Sequence, residues 1–448
     1  MLVKFLAAAA LLASVLTGVD AQQQQQQSGR PVNPHSFATK TAYWDQRSVD
    51  DYDPQVALVK LLAREELKSL TLVQVQQVNR HGTRFPTKSN TEEIIVLLTK
   101  LQQNYTSSIP TWLLNYSLPY NVSIEGTLAP TGAVELVNFG ARTREVIGSA
   151  VPTTYTKDQF IFQHTYKSRT KDSATSFAKA FFTNPQDVQY IEYGKTKDRL
   201  LRFFDECPRY NSEVGDNATA IPELAAYKAS ARMEQNIVLL KSKLRLPTNA
   251  DISELDVESA FSACAFDIAL YGIYSNWCSL LNKQFVDSLD FSEDLESFYE
   301  KGPGYKISYE IAAVLLKDVY SFMKSFVAGT SKVVGNFRFA HAETTLPLMT
   351  LLGYGDRTPL LASYTADQIA FRGFRTSVLA PLAANVDFRL YQSKLNATKY
   401  FVQVLVNEKI APVPGCDGQV FCELSKVEKL WSYYLNDYNF DDDCKAKN

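Results

Sequence analysis

The chain has little histidine and little net charge, and both shortages limit the functions it can have. Only four of its 448 residues are histidine, namely His35, His81, His164 and His341. No Cys-x-x-Cys or His-Glu-x-x-His pattern occurs, so the sequence offers no metal site. The formal net charge of −2 argues against a general nucleic-acid-binding protein. A polyanionic ligand would therefore need basic residues that are concentrated locally.

Long apolar runs are also scarce. The one strong run covers residues 5–16, behind Lys4 and ahead of the small-residue site Val19-Asp20-Ala21, which predicts a signal peptide over residues 1–21. This run is too short to span a bilayer comfortably, and no later segment is predicted to span one. We therefore expect a secreted, extracellular protein without membrane contact after signal removal. Residues 22–42 begin with a glutamine tract and are predicted to form a disordered leader.

A basic turn follows the first predicted strand. Residues 70–77 are rich in β-branched side chains, and the chain then continues as RHGTRFP at positions 80–86. Arginine keeps its charge and its planar fork matches phosphate oxygens, whereas a neutral imidazole can attack phosphorus. A solvated basic turn is the alternative. The presence of Arg80, His81 and Arg84 within five positions favours a phosphate site with a histidine nucleophile.

Two later stretches also place polar groups between a predicted strand and a predicted helix. His341-Ala342-Glu343 follows residues 335–340 and precedes a helix that Gly353 ends. Lys167 and Arg169 lie between a predicted strand over residues 160–166 and a predicted helix over residues 174–182. The N-terminus of a helix attracts anions, so both stretches are candidate phosphate sites. For Lys167 a solvated basic loop is an equally good interpretation.

These motifs resemble those of the histidine acid phosphatases, in the multiple inositol polyphosphate phosphatase branch, which has His-Ala-Glu where most relatives have His-Asp. The resemblance extends from about Val73 to Trp431, with one departure at Ala340, where relatives usually have glycine. It implies an α/β fold: a phosphoglycerate-mutase-like domain with a central, mostly parallel sheet flanked by helices, plus an inserted α-helical domain.

The domain boundaries follow from this resemblance and from helical periodicity. The first part of the α/β domain is expected at residues 43–179, the helical insertion at 180–301 and the second part of the α/β domain at 302–448. The clearest helical pattern runs from Asp256 to Leu281, with apolar residues at three- and four-residue steps.

The resemblance also implies a role for each site residue. His81 would attack phosphorus and form a phosphohistidine, and Glu343 would protonate the leaving oxygen. The residues that would hold the phosphate are Arg80, Arg84, Arg169 and His341, with Lys167 as a further substrate contact. No cofactor is implied, and the partner is a small polyanion.

The implied substrates are phytate and lower inositol polyphosphates, acted on by a monomer. Some family members also remove a phosphate from bisphosphoglycerate. Two alternatives stay open: a histidine acid phosphatase of broad specificity, and a secreted binding protein that has lost catalysis. The intact His81 and Glu343 argue against the second.

Six cysteines in an exported chain suggest disulfides, and six allow 15 connectivities. Short separations favour Cys264–Cys278 and Cys416–Cys422, which leaves Cys207–Cys444, and related phytases suggest the same three pairs. Five Asn-x-Ser/Thr sequons are candidate glycosylation sites. They lie at Asn104, Asn115, Asn121, Asn217 and Asn396.

Overall fold

The computed structural model describes residues 32–43 and 66–446. The predicted signal peptide and residues 22–31 of the predicted leader lie outside these ranges. No helix in the described ranges has both the length and the apolar character needed to cross a membrane.

The described strands join into a single eight-stranded sheet. The strands are β1 (Leu70–Arg80), β2 (Phe160–His164), β3 (Tyr190–Glu192), β4 (Gly335–Ala340), β5 (Asn385–Ser393), β6 (Tyr400–Val406), β7 (Lys409–Ala411) and β8 (Cys422–Glu423). Their order is β3-β2-β4-β1-β5-β6-β7, with β8 paired to β6. The strands from β3 to β1 are mutually parallel, and β5 to β8 extend the sheet in antiparallel fashion.

Helices surround this sheet. The longer ones are α1 (Lys88–Asn104), α2 (Pro130–Ile147), α3 (Ser168–Phe181), α4 (Pro222–Lys228), α5 (Ala231–Lys243), α6 (Glu254–Tyr271), α7 (Lys283–Glu300), α8 (Lys306–Glu310), α9 (Ala313–Val327), α10 (Ala342–Leu352), α11 (Ala366–Ala370) and α12 (Leu424–Leu430). Shorter helices lie at Thr111–Leu114, Pro208–Tyr210, Thr376–Leu379 and Phe440–Asp443. The predicted fold class, α/β with a central sheet between helices, is confirmed.

Apolar side chains on both faces of the sheet hold these layers together. On one face, Phe162 and Phe337 pack against Phe177 of α3 in a dense aromatic cluster. Burying one such ring contributes about 2 kcal/mol. On the other face, Val78 and Phe388 pack with helices α9 and α10. Successive side chains of a strand point to opposite faces of the sheet, so strands that are apolar at both alternating positions pack on both faces.

A separate helical core centres on α6 and α7. This core also takes in α1 and residues such as Ile369 and Phe374, which lie outside the predicted insertion at 180–301. Conversely, β3 lies inside that predicted range but belongs to the sheet. Apolar faces pack wherever the chain brings them together, so the helical core is not one continuous segment.

Helix α6 is shorter than its apolar pattern predicts. It starts at a capping box formed by Ser253 and Asp256 and ends at Tyr271, ten residues before the predicted end at Leu281. Gly272 follows with φ of 66°, a left-handed conformation that glycine adopts readily and that stops a helix. The apolar residues beyond it belong to a 3₁₀ turn at Asn276–Leu280.

Residues 32–42, which the prediction assigns to the leader, are packed against the rest of the protein. Phe37 is buried and its ring lies 5.1 Å from that of Phe261 on α6. The backbone amide of Ala38 donates to Asp290 on α7 at 2.7 Å. The leader prediction therefore extends too far. It relied on the glutamine- and proline-rich composition of this part of the chain, in which the few apolar residues that pack, such as Phe37, carry little weight.

Three disulfides are present. They join Cys207 to Cys444, Cys264 to Cys278 and Cys416 to Cys422. These are the three pairs that the family resemblance implies.

Candidate active site

The two histidine motifs meet at the carboxyl edge of the sheet. Strands β1 and β4 are parallel neighbours, with Arg80 in register with Ala340. His81 and His341 each follow directly, so both leave the same edge, where α/β proteins commonly bind ligands. Their rings are 5.6 Å apart between centroids. Residues that are 260 positions apart in sequence therefore form one site.

His81 is held as a neutral imidazole of defined tautomer. Its Nδ1 lies 2.9 Å from the carbonyl oxygen of Gly82. A carbonyl only accepts hydrogen bonds, so Nδ1 carries the proton and Nε2 keeps its lone pair. Burial lowers the pKa of His81 well below its usual range, and the nearby guanidiniums of Arg169 and Arg80 add to this effect. The ring therefore remains a potential nucleophile in acidic solution.

Helix α2 fixes the turn that carries His81. The Glu135 carboxylate accepts hydrogen bonds from the backbone amide of Thr83 at 2.8 Å and from its hydroxyl at 2.7 Å. Gly132 allows this approach, because a Cβ there would lie 2.1 Å from the carbonyl oxygen of Thr83. Gly82 faces α2 in the same way, and its added Cβ would lie 2.6 Å from the Gly132 carbonyl oxygen.

Three arginines surround this turn without pairing with a carboxylate. Arg80 donates to the carbonyl oxygens of Thr39 and Ala380 at 2.6 and 2.7 Å, and Arg84 donates to that of Phe85 at 2.9 Å. Arg169 donates weakly to the carbonyl oxygen of Gly126 at 3.4 Å. Within residues 32–43 and 66–446, none of the three forms an ion pair, and the Nε atom of each is buried without a hydrogen-bond partner.

The electrostatics of this arginine cluster favour an anion. Burial lowers the pKa of Arg80 to about 10, and burial with repulsion from Arg169 and Arg80 lowers that of Arg84 to about 9. Buried cations are usually paired, and leaving them unpaired costs free energy. A bound phosphate would offset this cost by accepting their unsatisfied donors.

A chain of hydroxyl groups orients His341. Its Nδ1 lies 3.4 Å from Nη2 of Arg169, which only donates, so Nδ1 is the acceptor and Nε2 carries the proton. Nε2 then donates to the Thr165 hydroxyl at 2.9 Å. The Thr165 hydroxyl lies 3.0 Å from that of Thr170, which in turn donates to the Lys167 carbonyl oxygen at 2.7 Å. Burial lowers the pKa of His341 well below its usual range.

Glu343 is the second residue of α10, and opposing influences act on its pKa. Burial raises that pKa, whereas the charges of Lys301, Arg80 and Arg169 and a backbone hydrogen bond lower it, and the net shift is downward. Lys301 follows α7 and forms an ion pair with Glu300 at 2.5 Å. Glu343 is therefore surrounded by positive charge on two sides.

The three arginines, His81 and Glu343 line one cavity of about 330 Å³ between the sheet edge and the helical core. This volume is at the lower end of the range for small-molecule sites. The wall at the sheet edge includes Arg80, His81, Arg84, Arg169 and Glu343. The opposite wall includes Lys40, Lys228, Glu258, Glu293, Glu296 and Lys301. Among the described residues, no group of three or more His, Cys, Asp or Glu side chains is placed to hold a metal ion.

A model of the histidine phosphatase superfamily, branch 2, matches residues 71–407. The chain belongs to this family. It is 28% identical to multiple inositol polyphosphate phosphatase 1 of Homo sapiens over 439 residues, which cover 91% of this chain and 88% of the human protein. It is 29% identical to the Gallus gallus protein of the same name over 393 residues, which cover 83% of this chain and 84% of that protein.

Solved structures share the fold of this branch 2 member. The phytase from D. castellii superimposes with a TM-score of 0.72 at 19% identity, over 85% of this chain and 83% of that one. The multiple inositol polyphosphate phosphatase of Bifidobacterium longum, solved with inositol hexasulfate, gives a TM-score of 0.65 at 18% identity, over 83% of this chain and 93% of that one.

The structure of this branch 2 chain brings most of the predicted site residues together. His341 lies against Arg169 and His81, at the edge of the cavity rather than on its surface. Lys167 is the exception: it does not line the cavity, and its ammonium lies 5.0 Å from the centre of the Tyr166 ring.

Several residues of the site are absent from the sequence prediction. Thr165, Lys301, Thr39 and Lys40 all contact the predicted residues or share their cavity. For Lys301 and Lys40 no sequence signal exists, because each is a single lysine in a stretch without a motif. Thr165 lies at the end of the predicted strand before Lys167, where a polar residue at a strand end is a usable signal.

Proposed function

We propose that this chain hydrolyses the phosphate monoesters of inositol polyphosphates, phytate and its lower products, through a phosphohistidine. One observation carries the proposal. His81, whose Nδ1 is hydrogen-bonded to the carbonyl oxygen of Gly82, shares a cavity with Glu343 and with three arginines that form no ion pair among the described residues. The names of the relatives in human and chicken support the substrate class. Phosphoryl transfer needs mainly positioning and charge stabilisation, which this arrangement supplies.

In the first step, Arg80, Arg84 and Arg169 bind the phosphate to be transferred. The lone pair on Nε2 of His81 attacks phosphorus in line, and the bond from phosphorus to the inositol oxygen breaks. The protonated Glu343 gives its proton to that oxygen, so the product leaves as a neutral alcohol. His341 accepts a hydrogen bond from Arg169 through Nδ1 and so helps to orient the cage.

In the second step, water cleaves the phosphohistidine. The oxygen of the water molecule attacks phosphorus while the Glu343 carboxylate takes a proton from the water. The bond between phosphorus and Nε2 of His81 breaks in the same step. Inorganic phosphate leaves, and His81 and the protonated Glu343 are regenerated.

The mechanism requires a neutral His81 and a protonated Glu343 in the same molecule. His81 must be neutral, and its lowered pKa keeps it neutral as the pH falls. Glu343 must be protonated, and its lowered pKa means that the protonated fraction declines as the pH rises. We therefore expect activity to be highest at acidic pH and to fall toward neutrality.

The decisive experiment is an assay of the purified protein with phytate, in which inositol products are resolved over time. The parent should release phosphate stepwise, and His81→Ala should lose about a thousandfold or more in kcat, as expected for a lost nucleophile. His35→Ala is the matched control, because His35 lies outside the cavity. Equal activity of His81→Ala and the parent would overturn the mechanism.

A broad-specificity acid phosphatase is the second candidate, favoured by the relative named acid phosphatase in Schizosaccharomyces pombe, which is 26% identical over 417 residues. Comparing kcat/KM on phytate and on p-nitrophenyl phosphate separates the two proposals. Bisphosphoglycerate is a third substrate to include. A protein that binds phytate without releasing phosphate would instead be a binding protein.

We also propose that the chain is an exported monomer. The three disulfides suit an oxidising compartment. Four of the five sequons, those at Asn104, Asn115, Asn121 and Asn396, have an exposed asparagine. Light scattering of protein recovered from culture medium tests the monomer, and a mass shift on deglycosylation tests the sequons. Retention of the whole chain inside the cell would contradict export.

A further inference from the structure

At His81 and Gly82, every backbone polar group takes part in a hydrogen bond. The His81 amide donates to the carbonyl oxygen of Ala340 at 3.0 Å, and its own carbonyl oxygen accepts from the Ala383 amide at 3.0 Å. The Gly82 amide donates to the hydroxyl of Ser173 at 3.1 Å, and the Gly82 carbonyl oxygen accepts from Nδ1 of His81. Among these partners, Ser173 is the only side chain contributed by another element of the fold.

Ser173 is a fully buried residue of α3, and a second hydrogen bond fixes the direction of its hydroxyl group. The hydroxyl donates to the carbonyl oxygen of Arg169 at 2.7 Å, one turn earlier in the helix. A serine hydroxyl has a single proton, so its oxygen acts as the acceptor for the Gly82 amide. Arg169 places its guanidinium in the cavity. Ser173 therefore joins the turn of the nucleophile to the helical turn that carries an arginine of the site.

Helix α3 is held in place by close packing against α2. A Cβ added to Gly140 of α2 would lie 2.3 Å from the carbonyl oxygen of Phe177 of α3. Contact this close between two backbones leaves no room for one helix to shift toward the other. Glu135 of α2 and Ser173 of α3 accept hydrogen bonds from consecutive amides of the His81 turn. The two helices therefore form one support for the nucleophile.

We propose that Ser173 is a positioning residue of the reaction, which aims the imidazole of His81 at the phosphate group beside Arg169. This inference rests on the proposed function. Without the hydroxyl, the buried amide of Gly82 would have no acceptor, which buried amides rarely tolerate. Glycine rotates with little restriction about its backbone bonds, so the turn would rearrange and move the carbonyl oxygen that holds Nδ1. The imidazole would then lose the single tautomer and the direction that in-line attack requires.

The first test is Ser173→Ala in the purified protein. Alanine removes one oxygen atom and favours a helix, so the fold should be kept. On phytate, kcat should fall about tenfold to a hundredfold, because a misplacement of about 1 Å costs roughly a factor of 100. The inhibition constant of inorganic phosphate should stay within about twofold of the parent value, since the contacts of the three arginines with a bound phosphate remain.

A second measurement reports on the imidazole itself. Nitrogen NMR of protein labelled in its histidine rings distinguishes the two neutral tautomers. The parent should carry the proton of His81 on Nδ1, and Ser173→Ala should show a mixture of both tautomers. Ser173→Thr keeps the hydroxyl, so it should return the tautomer and most of kcat to the parent values.

Ser176→Ala is the matched control. Ser176 is a buried serine of the same helix, three residues further on, and its hydroxyl makes no hydrogen bond with another described residue. This variant should keep the kcat and the His81 tautomer of the parent.

Three results would overturn the proposal. A purely structural serine would give Ser173→Ala a lower melting temperature while kcat and the tautomer stay at the parent values. Equal losses of phosphate affinity and kcat would place the effect in the arginine cluster. A folded Ser173→Thr as slow as Ser173→Ala would show that the hydroxyl is not the group that acts, and if Ser173→Thr does not fold, the comparison with Ser176→Ala decides.

The proposed function and this inference fail in different ways. A parent that releases no phosphate from phytate contradicts the proposed function, and the tautomer comparison then still tests whether Ser173 orients His81. A parent that is active on phytate, with an equally active Ser173→Ala, contradicts only the role of Ser173.

Discussion

At the scale of single residues, the same positively charged neighbours lower the pKa of His81 and the pKa of Glu343. Burial and the surrounding guanidiniums keep the pKa of His81 low. The same guanidiniums also lower the pKa of Glu343, against the effect of burial. As a consequence, Glu343 is protonated only at low pH. The pH range in which it can act as an acid depends on the total positive charge around it.

Replacing Lys301 by glutamine should move the alkaline limb of the kcat/KM profile on phytate to higher pH. Burial is the largest influence on the pKa of Glu343 and raises it. The charge of Lys301 is the next largest influence and lowers this pKa. Without this cation the carboxylate is less stable, so Glu343 remains protonated to higher pH. A displacement of about one pH unit is expected for the loss of one close opposite charge.

The control for this profile is Lys228→Gln. Lys228 lines the same cavity but is paired with Glu254 and Glu258, and it is not among the main influences on the pKa of Glu343. An alkaline limb that stays in place in Lys301→Gln, or that moves equally in both variants, would contradict the role of Lys301.

The motif residues were predictable because each follows a strand that the local pattern predicts. Arg80, His81 and Glu343 belong to short runs whose residue types already indicate phosphate chemistry. Lys40 and Lys301 could not be found in this way. Their position in the site depends on how helices α6 and α7 pack over the sheet edge, which no local pattern encodes.

At the scale of elements, helix α2 and the histidine turn form a unit held by close backbone contact. Gly132 of α2 approaches Thr83 so closely that Glu135, three residues later, reaches both the amide and the hydroxyl of Thr83. Position 82 is also limited to glycine by the same contact. The orientation of His81 therefore depends on a helix that contributes no catalytic group.

Gly132→Ala should lower both stability and activity. The added methyl group would lie 2.1 and 2.6 Å from backbone atoms of Thr83, which no side-chain rotation can relieve. Overpacking of this kind costs about 1–3 kcal/mol, more than the roughly 1 kcal/mol that alanine gains over glycine inside a helix. Denaturant unfolding should show a lower free energy, and kcat on phytate should fall with it.

Gly194→Ala is the matched control, because no atom lies within 4 Å of the added Cβ and no positive φ is required. Its unfolding free energy should stay within about 0.5 kcal/mol of the parent. If Gly132→Ala behaved like this control, the contact between α2 and the turn would not be tight in solution.

Element type was easier to predict than element ends. The apolar period predicts α6 but continues past Gly272, because the apolar residues of the following 3₁₀ turn keep the same spacing. Residues 305–326 also carry one helical pattern, yet the structure has α8 and α9 with a break at Ile311 and Ala312. Backbone breaks of this kind arise from tertiary packing, and hydrophobic periodicity does not register them.

At the scale of the whole molecule, the cavity exists because segments distant in sequence assemble its walls. Helices α1, α6 and α7 share one core with Val32 and Phe37. The sheet edge opposite is built from β1, β2 and β4. Family resemblance predicted the two-part architecture, but a contiguous insertion at 180–301 does not describe the helical core.

The disulfide between Cys207 and Cys444 should stabilise the assembled molecule more than the one between Cys416 and Cys422. The first closes a separation of 237 residues and ties the C-terminal end to the start of the helical region, whereas the second closes only 6. In the chain-entropy account, these loops correspond to about 5 and about 2 kcal/mol respectively. All four cysteines are buried, so replacing either pair by alanine leaves similar small cavities. The variant without Cys207 and Cys444 should therefore have an unfolding free energy about 3 kcal/mol lower than the variant without Cys416 and Cys422. Equal values would show that the unfolded chain keeps residual structure that already brings residues 207 and 444 close together.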